Sequence, residues 1–120
     1  MNDFNKVVLV GNLTCDPMIK YSNEGKPICI FDLGLSNNAK EEAKRQTTYA
    51  KIIVLGKFAE TCSKVLVKGR RILVEGQLRN YYRQIDDKKL KITEILSDRI
   101  IFLDSKNMPV KEGYNEENNV

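Results

Sequence analysis

Apolar residues in this chain recur mostly at every second position or in short β-branched runs, and a chain with that period buries its apolar side as strands. Segments 5–13, 18–22, 28–36, 47–55, 71–83, 89–96 and 99–103 carry the signal, bounded by Gly, Pro and Asn turns. Residues 57–67 depart from it. There Phe58, Cys62, Val65 and Leu66 recur at helical spacing, with Gly69 just beyond as a stop signal. The pattern predicts an all-β domain with one helix, and 120 residues suffice for one core rather than two.

Two stretches offer nothing to bury. Residues 37–46, NNAKEEAKRQ, have no apolar face and read as a long mobile connection rather than a short helix. After Leu103 the sequence DSKNMPVKEGYNEENNV has little to pack, so residues 1–103 are expected to fold and 104–120 to form a disordered tail. No internal repeat is evident. The net charge is +4, and because the tail holds more acid than base, the body carries 18 basic residues against 12 acidic. That balance permits a polyanionic partner without requiring one.

Several function classes are excluded. Without a single His there is no Ser-His-Asp triad, no Cys-His pair, no His-ligated metal and no imidazole base. The acids are dispersed or sit beside bases, as Asp86-Asp87 beside Lys88-Lys89, so no catalytic constellation forms and the chain is not expected to be an enzyme. Cys15, Cys29 and Cys62 are odd in number and too widely spaced for a zinc knuckle or a complete disulfide framework. They read as small structural residues in a reducing compartment, and no cofactor or metal is expected. The N-terminal MNDFNKVVLVGN has only four consecutive aliphatics, short of a signal peptide or membrane span, so a soluble protein without membrane contact is expected.

Strand parity separates the faces. In 71–83, Ile72, Val74 and Leu78 share one side while Arg71, Glu75, Gln77, Arg79, Tyr81 and Arg83 share the other, which is no core. In 47–55, Tyr49, Lys51, Ile53 and Leu55 lie opposite Ala50, Ile52 and Val54. Cations alternating with rings suit a single strand of nucleic acid, where phosphates need neutralising and unpaired bases need stacking. A solvated face with scattered tyrosines explains the same pattern equally well. The first strand differs, since Val7 and Leu9 oppose Val8 and Val10, making both faces apolar. A strand central within the monomer would show the same pattern, but in so small a domain self-association through Val8 and Val10 is the preferred reading.

The order strand, strand, strand, helix, strand, strand is that of the OB-fold, a five-stranded Greek-key barrel with its helix between strands three and four. Asn5-Lys6-Val7-Val8-Leu9-Val10-Gly11-Asn12-Leu13, then Asp16-Pro17 and Lys20-Tyr21, closely resemble the opening of the bacterial single-stranded DNA-binding protein family. So do Gln46-Thr47-Thr48-Tyr49 leading into Ile52-Ile53-Val54-Leu55-Gly56-Lys57-Phe58-Ala59-Glu60, Lys68-Gly69 before Val74-Glu75-Gly76-Gln77-Leu78-Arg79, and Thr93-Glu94-Ile95. The resemblance implies a cytoplasmic, nucleoid-associated homotetramer, a dimer of dimers, that binds single-stranded DNA with little sequence preference. It also implies a role in protecting that DNA during replication, recombination and repair, and an extended hairpin between the last two strands. By position, Tyr49 matches a stacking tryptophan, Leu55 falls where some members have phenylalanine, and Arg83 falls near another frequent tryptophan. Lys6, Lys20, Lys51, Lys57 and Arg79 match basic positions on the family's DNA path.

The departures thin the stacking surface. There is no Trp, and no aromatic stands near Ala39. Tyr81 and Tyr82 are the substitutes, Tyr81 by parity and Tyr82 only if the hairpin twists free of the barrel. The end, Glu116-Glu117-Asn118-Asn119-Val120, lacks the acidic, apolar tip by which relatives dock onto replication and repair proteins. Truncation, a paralogue or mobile-element copy, and another mode of recruitment all remain open. The alternatives to DNA binding are a primosome-type OB-fold interaction protein and an RNA-binding module, since stacking and phosphate neutralisation do not read the 2′-OH.

Overall fold

The alternating segments become six strands in the computed structural model, which describes residues 2–37 and 39–103. They are β1 (Val7–Leu13), β2 (Met18–Tyr21), β3 (Pro27–Ser36), β4 (Thr47–Leu55), β5 (Arg71–Ile85) and β6 (Lys88–Phe102), with the helix α1 (Lys57–Val65) between β4 and β5. β1 pairs with β5, β5 with β6, β6 in parallel with β4, β4 with β3, and β3 returns to β1. Five strands thus close a ring with the helix between its third and fourth members, the OB-fold connectivity. The remaining strand, β2, pairs with β3 and extends the sheet beside the ring.

Inward residues of the ring, among them Leu13, Phe31, Leu33, Ile52, Val54, Ile72, Val74, Ile95 and Ile100, form one cluster with Ala59 and Cys62 of α1. The helix follows Gly56, whose φ of 81° few other residues tolerate, and packs its apolar stripe against β3 and β4. It ends at Val65, two residues before the limit read from spacing, because Leu66 already adopts an extended conformation. Burial pushes the Cys62 thiol well above its ordinary range, with neighbouring Cys29 adding to the shift, as befits core residues. Cys15 is exposed.

Segments 89–96 and 99–103 are one strand rather than two. Between Glu75 and Gly76 the β5–β6 register shifts, Glu75 facing Arg99 and Gly76 facing Ser97, so Asp98 is left over as a bulge. The polar pair Ser97-Asp98 resembles a turn in sequence but is absorbed inside the strand. The extra residue resets the alternation, which is why Ile95 and Ile100 both reach the core although an odd number of positions separates them. A side chain at Gly76 would run into the Leu96 carbonyl, so the bulge requires glycine there.

The connection at 37–46 holds a 3-10 turn, Glu42–Lys44, where no helix was expected, and the Asn37 side chain ties its two ends together. Asn37 donates to the Lys44 carbonyl at 3.1 Å and accepts from the Gln46 N–H at 3.0 Å. These local side-chain bonds stand in for an apolar face. Arg70 is buried at the foot of β5 with its guanidinium 4.0 Å from the centre of the Phe102 ring. The expected tail, 104–120, lies outside the described residues.

Candidate nucleic-acid interface

The β5–β6 hairpin turns through Asp86 and Asp87, with Asp86 at a φ of 54°, a left-handed conformation that Asp accepts more readily than most residues. This two-residue turn fixes the register beyond it. Arg79 faces Glu94, Tyr81 faces Ile92 and Arg83 faces Leu90. From Gln77 to Lys91 every residue is exposed, so the hairpin projects past the core as an arm.

The outward side of β4 meets one side of this arm. Lys20, Lys51, Leu55, Arg79, Tyr81 and Arg83 line a single open groove, together with Ile28, Ile30, Ile53 and Glu94. The aliphatic residues make an apolar floor on which a flat base can lie, with cations at the walls and the Tyr81 ring beside them. An adjoining concavity shares Ile30 and Lys51 but brings in Asp16 and Asp32, whose charge disfavours a phosphate. The attractive half of the surface therefore runs from Arg83 towards Lys20.

Glu94 is the unexpected member. It is 3% exposed, and its Oε1 accepts from Arg79 Nε at 2.8 Å and from Arg79 Nη2 at 2.7 Å. Lys51 Nζ lies 3.7 Å from Oε2. A carboxylate this buried is costly unless it is paired, and these two cations supply the pairing from two different strands.

Other residues singled out in the sequence lie elsewhere. Tyr49 is on the groove-facing side of β4, opposite Gly34 and 64% exposed, but stands beyond Lys51 and outside the groove lining. Lys6 pairs with Glu75 at 3.3 Å, and Lys57 is exposed at the start of α1; neither lines the groove. Tyr82 keeps the parity of the core residues of β5, yet the arm carries it past the barrel, leaving it 67% exposed on the face opposite Tyr81. Val8 and Val10 are exposed on the outer face of β1. The sequence reading named Leu55 and put Ile53 on the same face, but missed Ile28, Ile30 and Glu94. A signal for Glu94 existed, because folding the hairpin about Asp86-Asp87 pairs it with Arg79. Among the described residues, no group of His, Cys, Asp or Glu could hold a metal ion, and no helix is long and apolar enough to cross a membrane.

A closed OB barrel with cations and tyrosine arranged round an apolar groove defines a class, the OB domains built for unpaired nucleic acid. The model of the single-strand binding protein family matches residues 4–103, and the chain belongs to that family. It is 34% identical over 106 residues to the single-stranded DNA-binding protein of Caldanaerobacter subterraneus subsp. tengcongensis, covering 85% of this chain and 69% of the relative. It is 32% identical over 102 residues to single-stranded DNA-binding protein 2 of Clostridium acetobutylicum, covering 83% of this chain and 77% of the relative. Among solved structures, the Plasmodium falciparum SSB complex with ssDNA superposes with a TM-score of 0.76 at 31% identity, covering 87% of this chain and 98% of the other.

Proposed function

We propose that this protein binds single-stranded DNA with little sequence preference, within one domain spanning residues 1–103, and protects it during replication, recombination and repair. The observation that carries the reading is the groove itself, where Lys20, Lys51, Arg79 and Arg83 surround an apolar floor with Tyr81 alongside. Such a surface neutralises phosphates and stacks bases without hydrogen-bonding to base edges, so affinity comes without a sequence code. Tyr49 and Leu55 extend the stacking surface, Tyr82 lies on the opposite face of the arm, and Lys6 and Lys57 supply charge beside the path. The role is binding rather than catalysis, in the cytoplasm.

Fluorescence anisotropy with labelled oligo-dT, a duplex of equal length and oligo-U at physiological salt tests this. Oligo-dT binds far more tightly than duplex; equal affinities would overturn the reading, and tighter binding of oligo-U would replace it with an RNA-binding one. We also propose assembly as a homotetramer, supported by Val8 and Val10, whose apolar side chains face outward from β1. Replication and repair proteins are further partners.

A further inference from the structure

Glu94 places a negative charge at the floor of a groove that otherwise attracts phosphate. Two of the four groove cations are already engaged by it, Arg79 through two N–H groups on Oε1 and Lys51 at 3.7 Å from Oε2. Lys20 and Arg83 line the same groove and are absent from these contacts. An incoming phosphate therefore meets two kinds of cation. At Lys20 and Arg83 it displaces only water and mobile counter-ions. At Lys51 and Arg79 it competes with a carboxylate fixed in a partly desolvated site, where charges interact more strongly than in bulk water. Arg79 has three N–H donors to spare, so it can hold both anions at once, but phosphate and carboxylate then face each other across one guanidinium.

We infer that Glu94 is an internal counter-ion that limits how tightly the groove grips DNA and how steeply that grip depends on salt. The inference rests on the groove being the DNA path. Counter-ion release accounts for the salt dependence of binding, with log K falling by about 0.7 per decade of salt for each phosphate neutralised on a single strand. A cation already neutralised from within releases little when DNA arrives.

The test is a salt titration of oligo-dT binding by the full chain and four variants. Glu94→Gln keeps the shape and can still accept from Arg79, so its affinity at low salt rises by about tenfold, the size of one charge-assisted contact regained. Its salt slope steepens by roughly 0.7. A folded Glu94→Gln that binds equally or more weakly overturns the inference, weaker binding meaning that Glu94 instead holds Arg79 in place for the phosphate. Lys51→Gln gives a second reading that does not depend on how Glu94→Gln folds. It flattens the salt slope by less than half as much as Lys20→Gln or Arg83→Gln, and an equal flattening overturns the inference. If Lys20→Gln and Arg83→Gln both bind like the parent, the groove is not the DNA path, and the functional reading falls with the inference.

Discussion

Tyr81 and Tyr82 are neighbours in sequence with opposite surroundings, one ring in the groove and the other on the far side of the arm. Because the chain lacks Trp, its intrinsic emission comes from tyrosine alone, and a ring stacked on a base is quenched. Saturating oligo-dT is expected to quench part of the emission, with Tyr81→Leu and Tyr49→Leu each reducing that quench and costing about 1–3 kcal/mol of binding. Tyr82→Leu should change both least. A Tyr82→Leu variant that loses more than Tyr81→Leu would put the DNA on the other face of the hairpin. The cysteines differ just as sharply. In the native protein a thiol reagent at neutral pH should modify Cys15 rapidly and reach Cys29 and Cys62 only on unfolding, as their burial dictates. The sign of the pH dependence follows from the raised Cys62 thiol. Its contribution to stability is full below the ordinary thiol value of 9.0 and is lost as pH climbs above it, because only the unfolded chain then gains the thiolate. Urea melts at neutral and alkaline pH should therefore show a smaller alkaline loss in Cys62→Ala than in the parent.

At the scale of elements, the β5–β6 pair joins a core-forming root to a solvent-exposed arm within the same two strands. The joint is the bulge at Asp98, opposite the step from Glu75 to Gly76. Gly76→Ala drives a methyl group into the Leu96 carbonyl and is expected to destabilise the fold by roughly 1–3 kcal/mol. A chemical melt measures this, and an unchanged midpoint would mean that the bulge relaxes freely. The strands were legible because alternation survives wherever one face is buried, and the helix because its stripe changes the period. The bulge was not legible, since Ser97-Asp98 carries the same polar signature as a turn and only the partner strand reveals the missing pairing. For the same reason Lys51, Arg79, Tyr81 and Arg83 could be assigned to a face by parity along their own strands. Ile28, Ile30 and Glu94 join Ile53 and Leu55 only when β3, β4 and β6 are brought side by side.

On the scale of the whole molecule, the outer face of β1 presents Val8 and Val10 to solvent, away from the groove. If these residues form the contact between copies, Val8→Lys should lower the assembled mass, read by light scattering on a sizing column, while its single subunits still bind oligo-dT. A parent protein that elutes as a monomer at micromolar concentration would remove the basis for the tetramer. The groove and the assembly face therefore predict separable phenotypes, one read in affinity and the other in mass.

The closure of the ring adds a mechanical consequence. Three joints of the barrel are long ladders, but β1 and β3 meet over two residue pairs, and so do β4 and β6, Ile52 with Ile95 and Ile53 with Leu96. The Lys51–Glu94–Arg79 cluster spans that seam, tying the end of one short parallel pairing to the hairpin beyond it. It works as a clasp on a bracelet, fastening a ring at one of its two short joints. Of its two ion pairs only Lys51–Glu94 crosses from β4 to β6, so a phosphate that draws Lys51 away loosens the barrel wall as it fills the groove.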